Sequence, residues 1–278
     1  MELALALVLG LVIGSFLNVC IVRLPHGMSL SIPRSHCPQC KKQIPWNDNV
    51  PILSYLLLGG RCRHCKKKIS VRYPFVEAGN GLISALLYLK FGLSVEWFIF
   101  LALSGALLVL ALVDIDHRIL PDPITKNGIW IGAVVSVYLA QPNPLITRIF
   151  RMGGLEVTNP RLVALTGSLL GIIVGGGLLW FVGEAYFRLR GIEGMGFGDV
   201  KMMAMVGAFL GAPLTLFTIM LGSLLGSIIG LAFIRLSGKS REYELPFGTF
   251  LGFAAIIAIL YGEEIIRLYV DRVIRPGL

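Results

Sequence analysis

Long apolar stretches recur from one end of the chain to the other, with short polar connections between them. A helix needs about 20 apolar residues to cross the hydrocarbon core of a bilayer. By that measure the pattern predicts an all-α polytopic membrane protein with about eight transmembrane helices. The predicted spans are residues 2–22, 74–91, 97–113, 124–141, 162–187, 199–212, 213–234 and 247–270. The sixth is short, and its boundary with the seventh at residues 211–213 is the least well marked.

The composition agrees with this pattern, because 55% of the 278 residues are hydrophobic and only 15% are charged. A soluble protein with so many apolar runs would aggregate. The first run has Glu2 at its start, no basic segment before it and no cleavage site of small residues before Arg23. We therefore interpret it as a retained span and not as a signal peptide.

The net charge of +9 is concentrated in one connection. Ten of the 25 Lys and Arg residues, but only one of the 16 acids, lie between residues 23 and 72. A basic connection directly after a first span stays in the cytoplasm. Topology therefore explains the charge without a nucleic-acid partner, and contact with the lipid bilayer's anionic headgroups is compatible with it. The N-terminus is expected outside, and the connections expected inside are 23–73, 114–123, 188–198 and 235–246.

Four of the five cysteines form two CxxC pairs, namely Cys37, Cys40, Cys62 and Cys65. Two such pairs at this separation are typical of a tetrahedral zinc site. Four thiolates leave no open coordination position, so a structural Zn²⁺ is predicted. Two disulfides are the alternative, but a cytoplasmic loop keeps its thiols reduced. His36 and His64 are candidate substitute ligands, and Cys20 is expected to be a packed residue of the first span.

Acidic residues also lie where predicted spans meet water, in two segments. The first contains Asp114, Asp116 and Asp122, and the second reads Gly196-Phe197-Gly198-Asp199. Carboxylates are costly at the edge of a bilayer. Two that share one proton would form an aspartyl protease dyad, in which the ionised carboxylate activates water and the protonated one polarises the scissile carbonyl. The glycines are expected to allow positive φ and a close substrate backbone.

Spacing alone does not choose among the three acids of the first segment. Glu193, close before the second segment, is a further acid in the neighbourhood. Asp199 taken alone could equally be an ordinary helix N-cap.

With these motifs, the chain resembles the type IV prepilin leader peptidases, membrane aspartyl proteases of the Gly-x-Gly-Asp type. The similarity extends over nearly the whole length. It rests on Gly14–Val19 with Arg23–Pro25, Asp48–Ser54, Arg72–Pro74 with Glu77, Asp114 seven residues before Pro121, and Gly196–Lys201.

The resemblance implies that Asp114 and Asp199 are the catalytic pair. It implies cleavage of the basic leader from prepilins and type II secretion pseudopilins, at the cytoplasmic face of the bacterial inner membrane. Members that keep the cysteine loop also N-methylate the new N-terminus with S-adenosylmethionine, so a bifunctional enzyme is expected. The sequence assigns no residue to the methyl donor. Glu77 and the neighbourhood of Arg23 and Arg72 are candidates, with helix capping and headgroup contact as the alternatives.

Three parts are expected: a first transmembrane helix at 1–22, a cytoplasmic zinc-binding loop at 23–73 and a transmembrane aspartyl protease core at 74–278. A peptidase without methyltransferase activity is one alternative function. A secondary transporter is another, and its acids would lie near the bilayer midplane. The sequence indicates neither the oligomeric state nor which pilins are cut.

Overall fold

The computed structural model describes residues 1–140, 144–152, 159–192, 194–237 and 245–274. Within these ranges the chain is predominantly helical, and the extended backbone amounts to two isolated bridges, His36 with Gln43 and Arg61 with Lys68. The predicted all-α architecture is therefore confirmed for the residues that the structure describes.

The chain divides into two compact units, Met1–Val113 and Asp114–Leu278. The first contains α1 (Glu2–Arg23), α2 (Leu53–Leu57), α3 (Arg72–Phe91) and most of α4 (Val95–His117). The second contains the end of α4 and then α5 (Asp122–Leu139), α6 (Pro144–Met152), α7 (Pro160–Ile172), α8 (Leu178–Arg190), α9 (Phe197–Ser237) and α10 (Phe247–Tyr269). A π-helical turn, Ile173–Gly177, joins α7 to α8.

Five helical segments among the described residues are long and apolar enough to cross a membrane. They are Glu2–His26, Val95–His117, Pro160–Arg190, Phe197–Phe233 and Phe247–Arg272. The prediction of a multi-pass membrane protein is confirmed at this level, whereas the count of eight spans is not. Polar residues inside α3 and α5 lower their hydropathy, and the sixth and seventh predicted spans are joined in the single element α9.

A break in helical geometry divides α9. Gly211 has φ 72° and ψ 174°, and Pro213 follows it. This backbone region is essentially restricted to glycine. The break therefore falls at the residues where the sequence pattern placed the boundary between its sixth and seventh spans.

In the first unit, α1 and α3 pack with their backbones in close contact. A Cβ on Gly14 would lie 2.8 Å from the Cα of Glu77. Asn80 Nδ2 donates to the carbonyl of Gly10 at 2.7 Å, and Ser84 Oγ donates to that of Ala6 at 2.6 Å. Small residues and side-chain hydrogen bonds of this kind hold helices together in a lipid environment, where apolar burial gives little driving force.

The second unit uses glycines in the same way. Gly171 of α7 and Gly175 of the π-helical turn lie directly against the backbone of α9, at Gly207 and Met203. Ser168 Oγ also donates to the carbonyl of Ala208 at 2.9 Å. These two glycines, four residues apart in the sequence, therefore serve helix packing and hold α9, which carries Asp199, against α7.

Candidate active site and metal centre

Asp114 lies in the last turn of α4 and is buried, with 6% of its surface exposed. Its Oδ2 accepts two hydrogen bonds from Thr249 in the first turn of α10. The backbone N–H of Thr249 donates at 2.8 Å, and its hydroxyl donates at 3.1 Å. The first N–H groups of a helix have no partner within the helix, so a carboxylate at this place satisfies one of them.

Asp199 lies in the first turn of α9 and is 7% exposed. Helix α9 begins at Phe197, and the backbone N–H of Asp199 donates to the carbonyl of Gly196 at 3.1 Å. Asp199 is therefore inside the helix and is not its N-cap, which removes the simpler interpretation of this residue.

The glycines around Asp199 do not have the backbone conformation that the sequence analysis expected. Neither Gly196 nor Gly198 has a positive φ, so the sequence interpretation of a left-handed turn was wrong. A Cβ on Gly198 would instead lie 3.1 Å from the Cβ of Leu120, in the connection between α4 and α5. Gly198 thus lets the start of α9 lie close against this connection.

The two carboxylates converge on Gly248 of α10. A Cβ placed on Gly248 would lie 2.8 Å from Oδ1 of Asp199 and 3.1 Å from Oδ2 of Asp114. The two oxygens are thus separated by no more than the sum of these distances. The structure brings together the two aspartates that the resemblance selected, 85 positions apart in the sequence.

The other nearby acids are placed elsewhere. Asp116 is exposed. Asp122, at the start of α5, pairs with Lys126 at 2.6 Å and with Lys201 of α9. The ion pair between Lys201 and Asp122 therefore connects the beginning of α9, close to Asp199, with the beginning of α5. Glu193 lies outside the described residues.

Gly248 and Thr249 were not identified from the sequence. They lie at the start of the last predicted span, where a glycine and a threonine after Pro246 indicate only a helix beginning. Their importance depends on which distant helix they meet, and no local pattern carries that information.

The four paired cysteines form one cluster in the first unit. Their four sulfur atoms all lie within 4.8 Å of one another, and the sulfurs of Cys37 and Cys65 are 3.8 Å apart. A tetrahedral zinc with Zn–S bonds of about 2.3 Å requires sulfurs about 3.8 Å apart. All five cysteines are free thiols, so the alternative of two disulfides is not seen. The donor set and its spacing fit zinc.

The two CxxC segments have the same local geometry. The N–H of Cys37 donates to the carbonyl of Lys42, as that of Cys62 does to Lys67, both at 2.9 Å. Each pair is followed by a lysine with positive φ, Lys41 at 58° and Lys66 at 56°. The backbone N–H of Cys40, hydrogen-bonded to the sulfur of Cys37, lowers the pKa of Cys37 to about 6. The thiolate is the form that binds a metal.

The other residues of the first unit that were named as candidates for ligand binding form hydrogen bonds with its backbone. Glu77 is buried and accepts a hydrogen bond from the N–H of Ile52 at 2.8 Å. Arg23 donates to the carbonyls of Ser29 and Pro33, and Arg72 donates to that of Leu112. The Nδ1 atom of His36 is within hydrogen-bond distance of the carbonyl of Arg34, and His36 is not part of the thiol cluster. The hydrogen bonds of Glu77, Arg23 and Arg72 connect parts of the chain itself, and their candidacy for the methyl donor stays a prediction.

Comparison with known proteins gives a consistent result. Residues 8–91 match the bacterial peptidase A24 N-terminal domain, and residues 101–231 match the type IV leader peptidase family. A prepilin leader peptidase/N-methyltransferase of Pseudomonas putida is 37% identical over 95% of this chain and 92% of its own length. Proteins of the same name from Stutzerimonas stutzeri and Pseudomonas aeruginosa are 34% and 35% identical, over 96% and 95% of this chain and 93% and 92% of theirs. No solved structure matches the chain. With relatives this similar along nearly their entire lengths, the chain belongs to the type IV leader peptidase family.

Proposed function

We propose that this protein is a membrane aspartyl endopeptidase that removes the basic leader from type IV prepilins and type II secretion pseudopilins. The observation that carries the proposal is the convergence of the buried carboxyls of Asp114 and Asp199 on Gly248. The names of the relatives agree with this substrate class. The similarity to these relatives also covers nearly all of each chain, which supports the same activity for the whole protein.

The chemistry follows from the proximity of two carboxyl groups in a buried place. Like charges this close do not both ionise, so one carboxyl keeps a proton while the other is a carboxylate. The carboxylate takes a proton from water as the water attacks the scissile carbonyl. The other carboxyl donates its proton to the carbonyl oxygen. Proton transfer of this kind contributes about 10²- to 10⁴-fold to a rate.

The cysteine cluster is proposed to hold one structural Zn²⁺. Cys37, Cys40, Cys62 and Cys65 would all be ligands, which leaves no position for water or substrate. The role of the metal is therefore to order the basic loop at 23–73, whose large apolar side chains, such as Trp46, Leu56 and Leu57, are exposed and do not form a core. Catalysis belongs to the carboxylates of the core at 74–278.

The relatives are also named N-methyltransferases, so we infer that this protein methylates the N-terminus that cleavage exposes. The expected donor is S-adenosylmethionine, which supplies an electrophilic methyl group. Glu77, Arg23 and Arg72 have structural partners in the chain, so no step of the transfer is assigned to them. A peptidase without this second activity is the alternative that an assay must separate.

We further propose eight transmembrane segments, formed by α1, α3, α4, α5, α7 with α8, the two parts of α9 on either side of Gly211, and α10. The basic loop after α1 then lies in the cytoplasm of a bacterial cell, with the N-terminus outside the inner membrane. Asp114 ends α4 and Asp199 begins α9, so both carboxylates lie at the cytoplasmic boundary. A transporter would instead place its acids near the midplane.

The experiment that tests these activities is incubation of the detergent-purified protein with a prepilin and S-adenosylmethionine carrying a labelled methyl group. Mass spectrometry of the product should show loss of the leader and addition of one methyl group to the new N-terminus. Cleavage without methyl transfer would establish the peptidase alone. Absence of cleavage across prepilin and pseudopilin substrates would contradict the proposal.

A further inference from the structure

The two carboxyls of the dyad have unequal surroundings. Oδ2 of Asp114 accepts two hydrogen bonds from Thr249, one from the backbone and one from the hydroxyl. Asp199 is also buried, but the hydrogen bonds found among the described residues include none to its carboxyl. We propose that Thr249 is a positioning residue that keeps Asp114 as the charged member of the dyad, so that Asp114 is the base and Asp199 the acid.

The start of α10 supplies the first part of this stabilisation. Thr249 is the third residue of α10, so its N–H belongs to the first turn, whose N–H groups have no acceptor within the helix. The positive end of the helix dipole lies beside both carboxyls, so the difference between them comes from the hydrogen bonds of Thr249 and not from the dipole. Gly248 allows the approach, because any side chain at this position would enter the space of both carboxyls.

The hydroxyl of Thr249 supplies the second part. Thr249 is 5% exposed, so the bond from Oγ1 to Asp114 is protected from competing water. A hydrogen bond to an ionised acceptor is about twice as strong as one between neutral groups. The backbone N–H of Arg118 donates to the carbonyl of Asp114 at 2.9 Å, which places a cationic residue one helical turn from this carboxyl. Lys201, the cation nearest to Asp199 in sequence, is paired with Asp122.

This asymmetry assigns every proton of the reaction. The Asp114 carboxylate removes a proton from water as the water oxygen bonds to the carbonyl carbon, and the Asp199 proton passes to the carbonyl oxygen. A tetrahedral diol results. In the second step Asp114 gives its proton to the leaving nitrogen, the C–N bond breaks, and Asp199 recovers a proton from a diol hydroxyl. The sum is hydrolysis, with both carboxyls returned to their starting states.

The kinetic test uses Thr249→Val, which replaces the hydroxyl by a methyl group of similar size and keeps the backbone N–H. A hydrogen bond to a charged group is lost, so kcat for prepilin cleavage should fall about tenfold or more, with KM unchanged within about twofold. Thr249→Ser restores a hydroxyl and should return kcat to within about threefold of the wild-type value.

Thr218→Val is the matched control. Thr218 is fully buried in α9, and its hydroxyl donates to the carbonyl of Leu214, away from the carboxyls. This variant should keep the wild-type kcat. Equal losses in the Val variants at 249 and 218, or a wild-type kcat for Thr249→Val, would overturn the role of Thr249. The same is true if Thr249→Ser is as slow as Thr249→Val. Should Thr249→Val not fold, Thr249→Ala is compared with Thr249→Ser by the same criterion.

Infrared difference spectroscopy tests the assignment of charge without any substrate. The C=O band of a protonated carboxyl should be lost from the wild-type spectrum at neutral pH in Asp199→Asn and kept in Asp114→Asn. The opposite pattern would overturn the assignment. This inference rests on the proposed peptidase function for its consequence in catalysis. Should the wild-type protein cleave no prepilin, the proposed function fails, while the infrared result still decides which aspartate is charged.

Discussion

At the residue scale, the convergence of the two buried carboxylates depends on the absence of a side chain at position 248. The space that a Cβ would occupy there is bounded by Oδ1 of Asp199, Oδ2 of Asp114 and the Cδ1 of Leu120. Asp114 is held in place by Thr249, and the side chains of Asp199 and Leu120 are buried, so each has little room to move away. A single methyl group at this position would displace both carboxyls.

Gly248→Ala should therefore lower kcat for prepilin cleavage by about 10²-fold, the usual effect of misplacing reacting groups by about 1 Å. Gly183→Ala is the control, because a Cβ at Gly183 would meet its nearest neighbour, the Cβ of Met195, at an ordinary 3.8 Å. Both variants are compared by thermal unfolding in detergent before kinetics are measured. A wild-type kcat for Gly248→Ala would show that the carboxyls are not crowded at this residue.

The family resemblance selected the two aspartates that the structure brings together, but the sequence did not indicate the residues that surround them. Asp114 and Asp199 stand in motifs that can be recognised within a few positions of the chain. Gly248 and Thr249 act through helices whose contact is created only when the second unit packs. The separation of Asp122 from the pair also became evident only from its bonds to Lys126 and Lys201.

At the scale of elements, the basic loop is organised by two similar CxxC segments and by one buried acid from α3. Both segments have the same pattern of backbone hydrogen bonds, and in each a lysine, Lys41 or Lys66, has a left-handed backbone conformation. The spacing of the cysteines predicted this pairing, since two thiols separated by two residues can face one metal. The contact between Glu77 and the N–H of Ile52 was not predictable, because it joins positions 25 residues apart.

A variant with Cys37→Ser and Cys40→Ser should lose the zinc of the purified protein, which is about one ion per chain in the wild type by the Cys₄ argument. The loop should then become sensitive to protease, because its order depends on the metal. Elemental analysis and limited proteolysis measure the two effects. Cys20→Ala, which removes the buried cysteine of α1, should keep the metal. Zinc-free wild-type protein with a protease-resistant loop would contradict the proposal.

Glu77→Ala should also make the loop at 23–73 more sensitive to protease, because it leaves the N–H of Ile52 without its carboxylate acceptor. Glu77→Gln keeps an oxygen at the same place and should leave the loop resistant to protease. Methyl transfer is measured in parallel on both variants. If Glu77→Gln kept the loop intact but abolished methyl transfer, the role of Glu77 would be chemical and not structural.

At the scale of the whole molecule, the proposed number and direction of the spans rest on apolar length and on charge. Five segments satisfy both length and hydropathy. Polar side chains of α3 and α5 are used for packing: Asn80 and Ser84 donate to carbonyls of α1, and Ser136 donates to the carbonyl of Ala164 in α7. In the proposed topology α3 and α5 are also spans, and the polar side chains that bind neighbouring helices lower their hydropathy.

The proposed topology is tested by labelling introduced cysteines with a maleimide that does not cross membranes. Leu93→Cys, in the connection between α3 and α4, should react in cells whose inner membrane is intact. Ile192→Cys, between α8 and α9, should react only after lysis. Both positions are exposed, with 41% and 59% of the side chains accessible. Reaction of the unmodified protein is the background, and the reverse pattern would contradict the orientation.

The central claim is that Asp114 and Asp199 together activate water, and the most direct test is prepilin cleavage by Asp114→Asn and Asp199→Asn. Each substitution keeps the size of the side chain but removes an acid–base group. Each should lower kcat by about 10²- to 10⁴-fold, while thermal unfolding in detergent remains close to that of the wild type. Asp116→Asn, at an exposed acid of the same segment, should keep its activity. Substantial cleavage by either Asp114→Asn or Asp199→Asn would contradict the account.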